Sequence, residues 1–171
     1  CLQEIHQVDL AYFECVWKLP YSVSNGMGAS RGVMTLYSSA FQKVQEISDP
    51  QGRFLITLLK SESLATGTTP AYFLVANVYA PNSRRDSRLF FERFFDTFDQ
   101  FKTLHVDQLP PQDVYVLKAG DFNFISRSED SFNRAFTNDE RDLARDVNSS
   151  LNARGLRDVF FRNRDENPKF P

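Results

Sequence analysis

The chain has 171 residues, 42% of them hydrophobic and 25% charged, so it can bury a sizeable core and is neither a disordered tail nor a collagen-like repeat. Its 20 basic and 22 acidic side chains leave a net charge of −2, so a polyanionic partner would have to be held by a local basic patch or a bound cation. Phenylalanine is the outlier, with 17 copies against 6 tyrosines and 1 tryptophan, which predicts a ring-rich core between broad facing surfaces. Length and uniform composition fit one domain over residues 1–171.

Cys1-Leu2-Gln3-Glu4 reads as the end of a buried strand whose beginning is cut away. A short helix is expected over 8–17, and the polar residues 22–28 read as a turn. Runs rich in β-branched and aromatic residues predict strands over 32–38, 44–48, 54–60, 72–80 and 114–119. The polar, turn-rich segment 60–70 reads as a hairpin loop. Phe91, Phe94, Phe95, Phe98 and Phe101 recur at helical spacing, predicting a helix over 84–104 with its ring face on a sheet. A further helix is expected over 138–153, opened by the capping-box pattern Thr137-x-x-Glu140, striped by Leu143, Val147 and Leu151, and ended by Gly155. This order implies sheets packed together and covered by helices on their outer faces.

Cys1 and Cys15 form no disulfide framework and no zinc-ligand spacing, which fits a reducing compartment. The longest mainly apolar stretch, 71–80, is about half a membrane span, and no signal-peptide pattern is present. The C-terminal Asn167-Pro168-Lys169-Phe170-Pro171 has no closing element, so the chain is expected to be a fragment with structure missing on both sides.

Three polar interruptions end apolar strands: Glu4, Asn77 with Tyr79, and Asp121 with Asn123. Burying a carboxylate or amide costs a few kcal/mol unless it is paired or bound to a cation, so together the three point to convergence on one site. Any one of them alone reads equally well as a strand-ending turn residue. Arg84, Arg85 and Arg88 form a basic edge at a helix start, where backbone amides also favour phosphate, although a solvated helix face is an equal reading. Gly28-Ala29-Ser30-Arg31-Gly32 matches the G-x-S-x-G pattern of serine hydrolases, but the strand lies after the serine rather than before it. Asn148-Ser149-Ser150 is a glycosylation sequon falling inside a helix and is treated as chance.

The blocks CLQE, SRGVMTLYS, GRFLITLL, NVYAPN, GDFN and LRDVF, in that order, resemble the endonuclease/exonuclease/phosphatase superfamily, and most of all the endonuclease domain of LINE-type non-LTR retrotransposons. The resemblance implies an α/β fold, a DNase I-like four-layer α/β/β/α sandwich, here incomplete at both termini. It implies Mg²⁺-dependent hydrolysis of DNA, with Mn²⁺ as a substitute, nicking a target to prime a reverse transcriptase domain of the same polyprotein. By that resemblance Glu4 is the metal ligand, and Asp121 orients or deprotonates the attacking water. Asn123 hydrogen-bonds a phosphoryl oxygen and Tyr79 contacts the scissile phosphate. Asn82, Arg84 and Arg85 grip the DNA backbone, with Pro81 fixing the turn. Asp121 and Asn123 are expected on one side of a single strand.

Tyr79 stands where sphingomyelinase-like and DNase I-like members carry His, which favours the repair-nuclease and retrotransposon branches. The resemblance also implies an intracellular, nuclear site of action with no membrane contact. Ile5 departs from the Thr common before His6. The family's first-strand Asn would precede Cys1, and its C-terminal Asp and Ser-Asp-His block would follow Pro171, so these residues alone are expected to be inactive. Neither His6 nor His105 fits the missing histidine, and Asp158 reads as loop-fixing. The alternatives are an apurinic-site repair endonuclease of the same fold and a non-catalytic DNA-binding remnant.

Overall fold

A computed structural model of the chain describes residues 1–6, 9–28, 30–61, 69–125 and 135–156. It divides into two compact units, Cys1–Asn123 and Phe124–Pro171. The first unit contains β1 (Leu2–Gln3), α1 (Leu10–Val16), β2 (Tyr21–Ser24), β3 (Val33–Leu36), β4 (Phe41–Ser48), β5 (Phe54–Ser61), β6 (Tyr72–Tyr79), α2 (Arg84–His105) and β7 (Val114–Asp121). Its strands form a three-stranded sheet in the order β1-β3-β2 and a four-stranded sheet in the order β4-β5-β6-β7. Among the described strands the β6–β7 pairing alone is parallel, and α2 supplies the crossover that a parallel pair requires.

Alternation along the strands decides what each face meets. On β5 and β6, Phe54, Ile56, Leu74, Ala76 and Val78 are all at or below 2% exposed. This is the face that takes α2: Phe54 packs edge-on against Phe90 and Phe94, at 6.2 and 5.4 Å between ring centroids. The helix buries Phe90, Phe91, Phe94, Phe95, Phe98 and Phe101, so its ring stripe is the expected one with Phe90 added. Lys118 of β7 sets its ammonium 3.7 Å from the centre of the Phe98 ring, a cation held on an aromatic floor.

The opposite face of the large sheet meets the small one. Asn77, fully buried, accepts from Gln3 Nε2 at 2.7 Å and donates to the carbonyl of Met34 at 2.9 Å. Its amide thereby joins β6 to β1 and β3 across the sandwich and offsets the desolvation that made it conspicuous in sequence. On the outer side of the small sheet, Phe13 of α1 packs edge-on against Tyr21 of β2 at 5.3 Å, and Tyr21 donates to Glu14 at 2.6 Å. The layers therefore follow the expected α/β/β/α order within this unit.

Two local expectations are corrected. Residues 22–28 were expected to be a turn, yet 21–24 form β2, because Ser22 and Ser24 point inward and are buried while Tyr21 and Val23 point out. The polar-in pattern conceals a strand whose inner Ser24 is satisfied by the Asp49 carbonyl at 2.7 Å. The first strand was expected to be buried, but Leu2 is 43% exposed. The hairpin between β5 and β6 is closed by reciprocal bonds between Ser61 and Ala71; residues 62–68 lie outside the described residues.

In the second unit, α3 (Asn138–Ala153) has the expected bounds. Thr137 and Glu140 form the full capping box, and Leu143, Ala144 and Val147 are its buried stripe. Gly155, at φ +70°, ends it through paired bonds from Gly155 N–H to Asn152 and Leu156 N–H to Leu151, a Schellman closure.

Candidate active site

Parallel pairing of β6 and β7 sets Tyr79 directly beside Asp121, the last residue of each strand. Both side chains lie on the face turned toward the small sheet. The strand ends are locked by Ala80 N–H donating to the Asp121 carbonyl at 2.8 Å. Gly120 makes this approach possible: at φ +133°, an added Cβ would sit 1.9 Å from the Val78 carbonyl oxygen. The glycine of the G-D-F-N block is thus dictated by backbone proximity.

Glu4 follows β1, and its carboxylate oxygen Oε1 accepts a short hydrogen bond from the Tyr79 hydroxyl. The Tyr79 ring packs with Val33 and Leu55, while Glu4 itself is exposed. That hydrogen bond, then burial and the Glu4 charge, raise the Tyr79 pKa above the ordinary tyrosine value. The phenol therefore stays protonated and acts as a donor. Glu4 Oε2 has no hydrogen-bond partner among the described residues. A hard, exposed carboxylate oxygen on Glu4, with Asp121 across the strand pair from the tyrosine that holds it, is the donor chemistry of Mg²⁺, which takes one or two carboxylates and keeps its remaining positions for waters and phosphate. Among the described residues no group of three or more His, Cys, Asp or Glu is placed to hold a metal ion.

Asn123 lies beyond the end of β7, at φ +49°, so strand alternation does not place it beside Asp121 as expected. A left-handed turn does so instead. Its backbone N–H donates to Asp121 Oδ1 at 3.0 Å, and its side-chain amide donates to the Ala80 carbonyl at 2.7 Å. One amide proton of Asn123 remains for a further acceptor. Glu4, Tyr79, Asp121 and Asn123 are thus brought together at one end of the sandwich.

Asn82, Arg84 and Arg85 stand exposed at the junction of β6 and α2, where Ser87 ties the turn by donating to the Pro81 carbonyl at 2.9 Å. His105 packs at a tilt against Phe101 at the far end of α2, 4.8 Å between ring centroids. His6 takes part through its backbone, donating to the Arg31 carbonyl at 2.7 Å. Ser30 lies in a turn, bonded to the Met27 carbonyl, with β3 rather than a helix following. Asp158 and most of the L-R-D-V-F block lie outside the described residues.

Two arginines passed over in the sequence also belong to this end. Arg53 lays its guanidinium over the Tyr79 ring at 5.2 Å and donates to the Tyr79 carbonyl at 3.4 Å. Burial and the nearby Arg31 charge lower its pKa. The available signal was positional: Arg31-Gly32 and Gly52-Arg53 each stand immediately before a strand.

No family model matches the chain, and no curated protein does. Among solved structures it is similar to a truncated Caenorhabditis elegans TDP2, at 18% identity and a TM-score of 0.47, covering 78% of this chain and 51% of that one. It is also similar to a D. rerio TDP2 humanized by 14 mutations, at 17% identity and a TM-score of 0.45, covering 75% of this chain and 49% of that one. The chain spans about half the length of these structures. Neither likeness bears on substrate or chemistry.

Proposed function

We propose that this chain is part of a Mg²⁺-dependent phosphodiesterase of the endonuclease/exonuclease/phosphatase superfamily. More narrowly, it is the endonuclease portion of a LINE-type retroelement polyprotein, nicking nuclear DNA to expose a 3′-hydroxyl for an adjoining reverse transcriptase domain. The observation that carries this reading is the Glu4–Tyr79–Asp121 alignment: a carboxylate fixed by a protonated phenol, with a second carboxylate one strand away.

Glu4 would hold the divalent cation, whose charge neutralises the phosphoryl oxygens as negative charge builds on them. Tyr79 orients the Glu4 carboxylate with its one hydroxyl proton, and donating to the scissile phosphate would turn that proton from Glu4 to a phosphoryl oxygen. Asp121 orients the attacking water and takes its proton as the new oxygen–phosphorus bond forms and the bond to O3′ breaks, the leaving 3′-oxygen taking a proton from a solvent water. Asn123 gives its second amide proton to a phosphoryl oxygen without adding a repelling charge. Asn82, Arg84 and Arg85 steady the flanking backbone.

A polypeptide that carries these residues together with a C-terminal Ser-Asp-His block is expected to nick supercoiled plasmid with Mg²⁺ and to stop with chelator. The nick should be extended by a DNA polymerase, and these 171 residues alone should not cut. Binding without cutting would favour a DNA-binding remnant, and cutting confined to abasic duplex would favour a repair endonuclease.

A further inference from the structure

Among the described residues the non-glycine positions with positive φ are Glu4 at 55°, His6 at 57°, Arg31 at 66° and Asn123 at 49°. Two of these are proposed site residues, and the other two lie in one knot of loops beside them. A left-handed arginine costs on the order of 1–2 kcal/mol, so it persists only where its surroundings over-determine it. Here they do. The Arg31 carbonyl accepts from His6 N–H at 2.7 Å, Gly32 N–H donates to the Gly52 carbonyl at 2.9 Å, and Gly26 N–H donates to the His6 carbonyl at 2.9 Å. An added Cβ on Gly32 would meet the His6 carbonyl oxygen at 2.6 Å, so the loops touch backbone to backbone. Three connections are thereby fastened together, and they carry Arg31 and Arg53 with them.

Neither guanidinium has a carboxylate at ion-pair distance among the described residues. Among the described residues the side chain of Arg31 reaches only the Met27 sulfur, at 3.9 Å. Arg53 has the Tyr79 ring and carbonyl. Asp49, the acid nearest to Arg53 in sequence, is engaged by Arg93 at 3.1 Å and by the Arg53 backbone N–H at 3.0 Å. Both arginines are half-buried and close enough for their charges to oppose each other. Asp49 and Asp86 act on Arg53 through their charge without reaching ion-pair distance. Two like charges carried on loops fastened backbone to backbone, with no carboxylate in direct contact with either guanidinium among the described residues, are arranged for an anion that is not part of the chain.

We infer that Arg31 and Arg53 form a phosphate clamp that grips the substrate strand beside the Glu4–Tyr79 centre and does so without a metal. The identity of the anion as a phosphodiester rests on the reading above; the clamp itself does not require cleavage. Arg53 would also hold the Tyr79 ring in place, so it is both a contact and a positioning residue.

The test is fluorescence anisotropy of the 171-residue chain with a labelled single-stranded oligonucleotide, in chelator, over a salt series. Each of Arg31→Gln and Arg53→Gln should reduce the slope of log affinity against log salt by about 0.7, and the pair by about 1.4. Each should weaken low-salt binding about tenfold. Arg31→Lys should keep the slope while losing part of the affinity, and Lys43→Gln, which removes a charge from the β4 edge, should leave both less affected than either arginine variant. Should Arg53→Gln fail to fold by thermal melt, Arg31→Gln decides alone, because among the described residues the Arg31 guanidinium touches only the Met27 sulfur. An unchanged slope in the folded Arg31 variant, or no measurable binding by the unaltered chain, overturns the clamp. Plasmid nicking by the longer polypeptide separates the two ideas. Lost binding in a protein that never cuts leaves the clamp and removes hydrolysis. Normal cutting with an unchanged slope removes only the clamp.

Discussion

Tyr79 joins the two halves of the site because one ring serves three neighbours: its hydroxyl donates to Glu4, its face meets Arg53, and its backbone pairs with Asp121. Its raised pKa has a thermodynamic consequence. Above the ordinary tyrosine value of 10.0 the unfolded chain gives up this proton while the native chain keeps it, so the native state binds more protons and loses stability as pH rises. The contribution is fully present below pH 10 and disappears as pH passes through the higher native value. Denaturant melts of the parent and Tyr79→Phe should therefore converge above that pH; parallel curves would show that the Glu4 bond does not form. Because Glu4 is exposed, Tyr79→Phe should cost about 1 kcal/mol or less, yet slow nicking by about 100-fold. Asp121→Ala should slow it by about 100- to 10,000-fold, measured as single-turnover plasmid nicking. Polar residues ending apolar strands made Glu4, Tyr79, Asp121 and Asn123 visible in the sequence. Arg31 and Arg53 left no such trace, since an arginine beside a glycine is ordinary in a loop and only the tertiary knot gives these two a shared direction.

The elements differ in how far local pattern determined them. The ring stripe of α2 and the capping box of α3 specify their helices from within, and both appear with bounds close to those expected. The strand β2 could not be read that way, because its inward residues are serines: Ser24 bonds the carbonyl of Asp49, far along the chain, and the buried Ser22 hydroxyl has no hydrogen-bond partner among the described residues. The end of β7 was legible in composition but not in geometry: Asn123 reaches its place through a left-handed turn, a conformation that Asn tolerates better than most residues. Two substitutions probe this scale. Phe98→Ala removes a ring that is 1% exposed and should cost about 3–5 kcal/mol in urea melts, with the site otherwise intact. Gly120→Ala should cost about 1–3 kcal/mol by forcing β7 away from Val78 and should also abolish nicking, because Asp121 moves with it. A folded Gly120→Ala variant with full activity would show that the strand contact does not position the carboxylate.

At the scale of the whole chain, sheets covered by helices followed from strand and helix patterns and the four-layer α/β/β/α order from the family resemblance, and the structure shows that order within Cys1–Asn123; the division into units at Asn123 and Phe124 left no mark in composition. A net charge of −2 gives the chain no bulk attraction to DNA, so the proposed affinity would have to come from local arginines such as Arg31 and Arg53 and from the cation proposed on Glu4. Among the described residues no helix is long and apolar enough to cross a membrane. The central claim is that Glu4, Tyr79, Asp121 and Asn123 constitute one cation-dependent centre, and paramagnetic NMR reads it without requiring turnover. Mn²⁺ added to the isotope-labelled 171-residue chain should broaden the amide signals of Gln3 to Ile5, Val78 to Ala80 and Gly120 to Asn123 together, and Glu4→Gln should abolish the effect. Broadening centred instead on the acidic residues of α3, or no broadening at the ends of β1, β6 and β7, would contradict it.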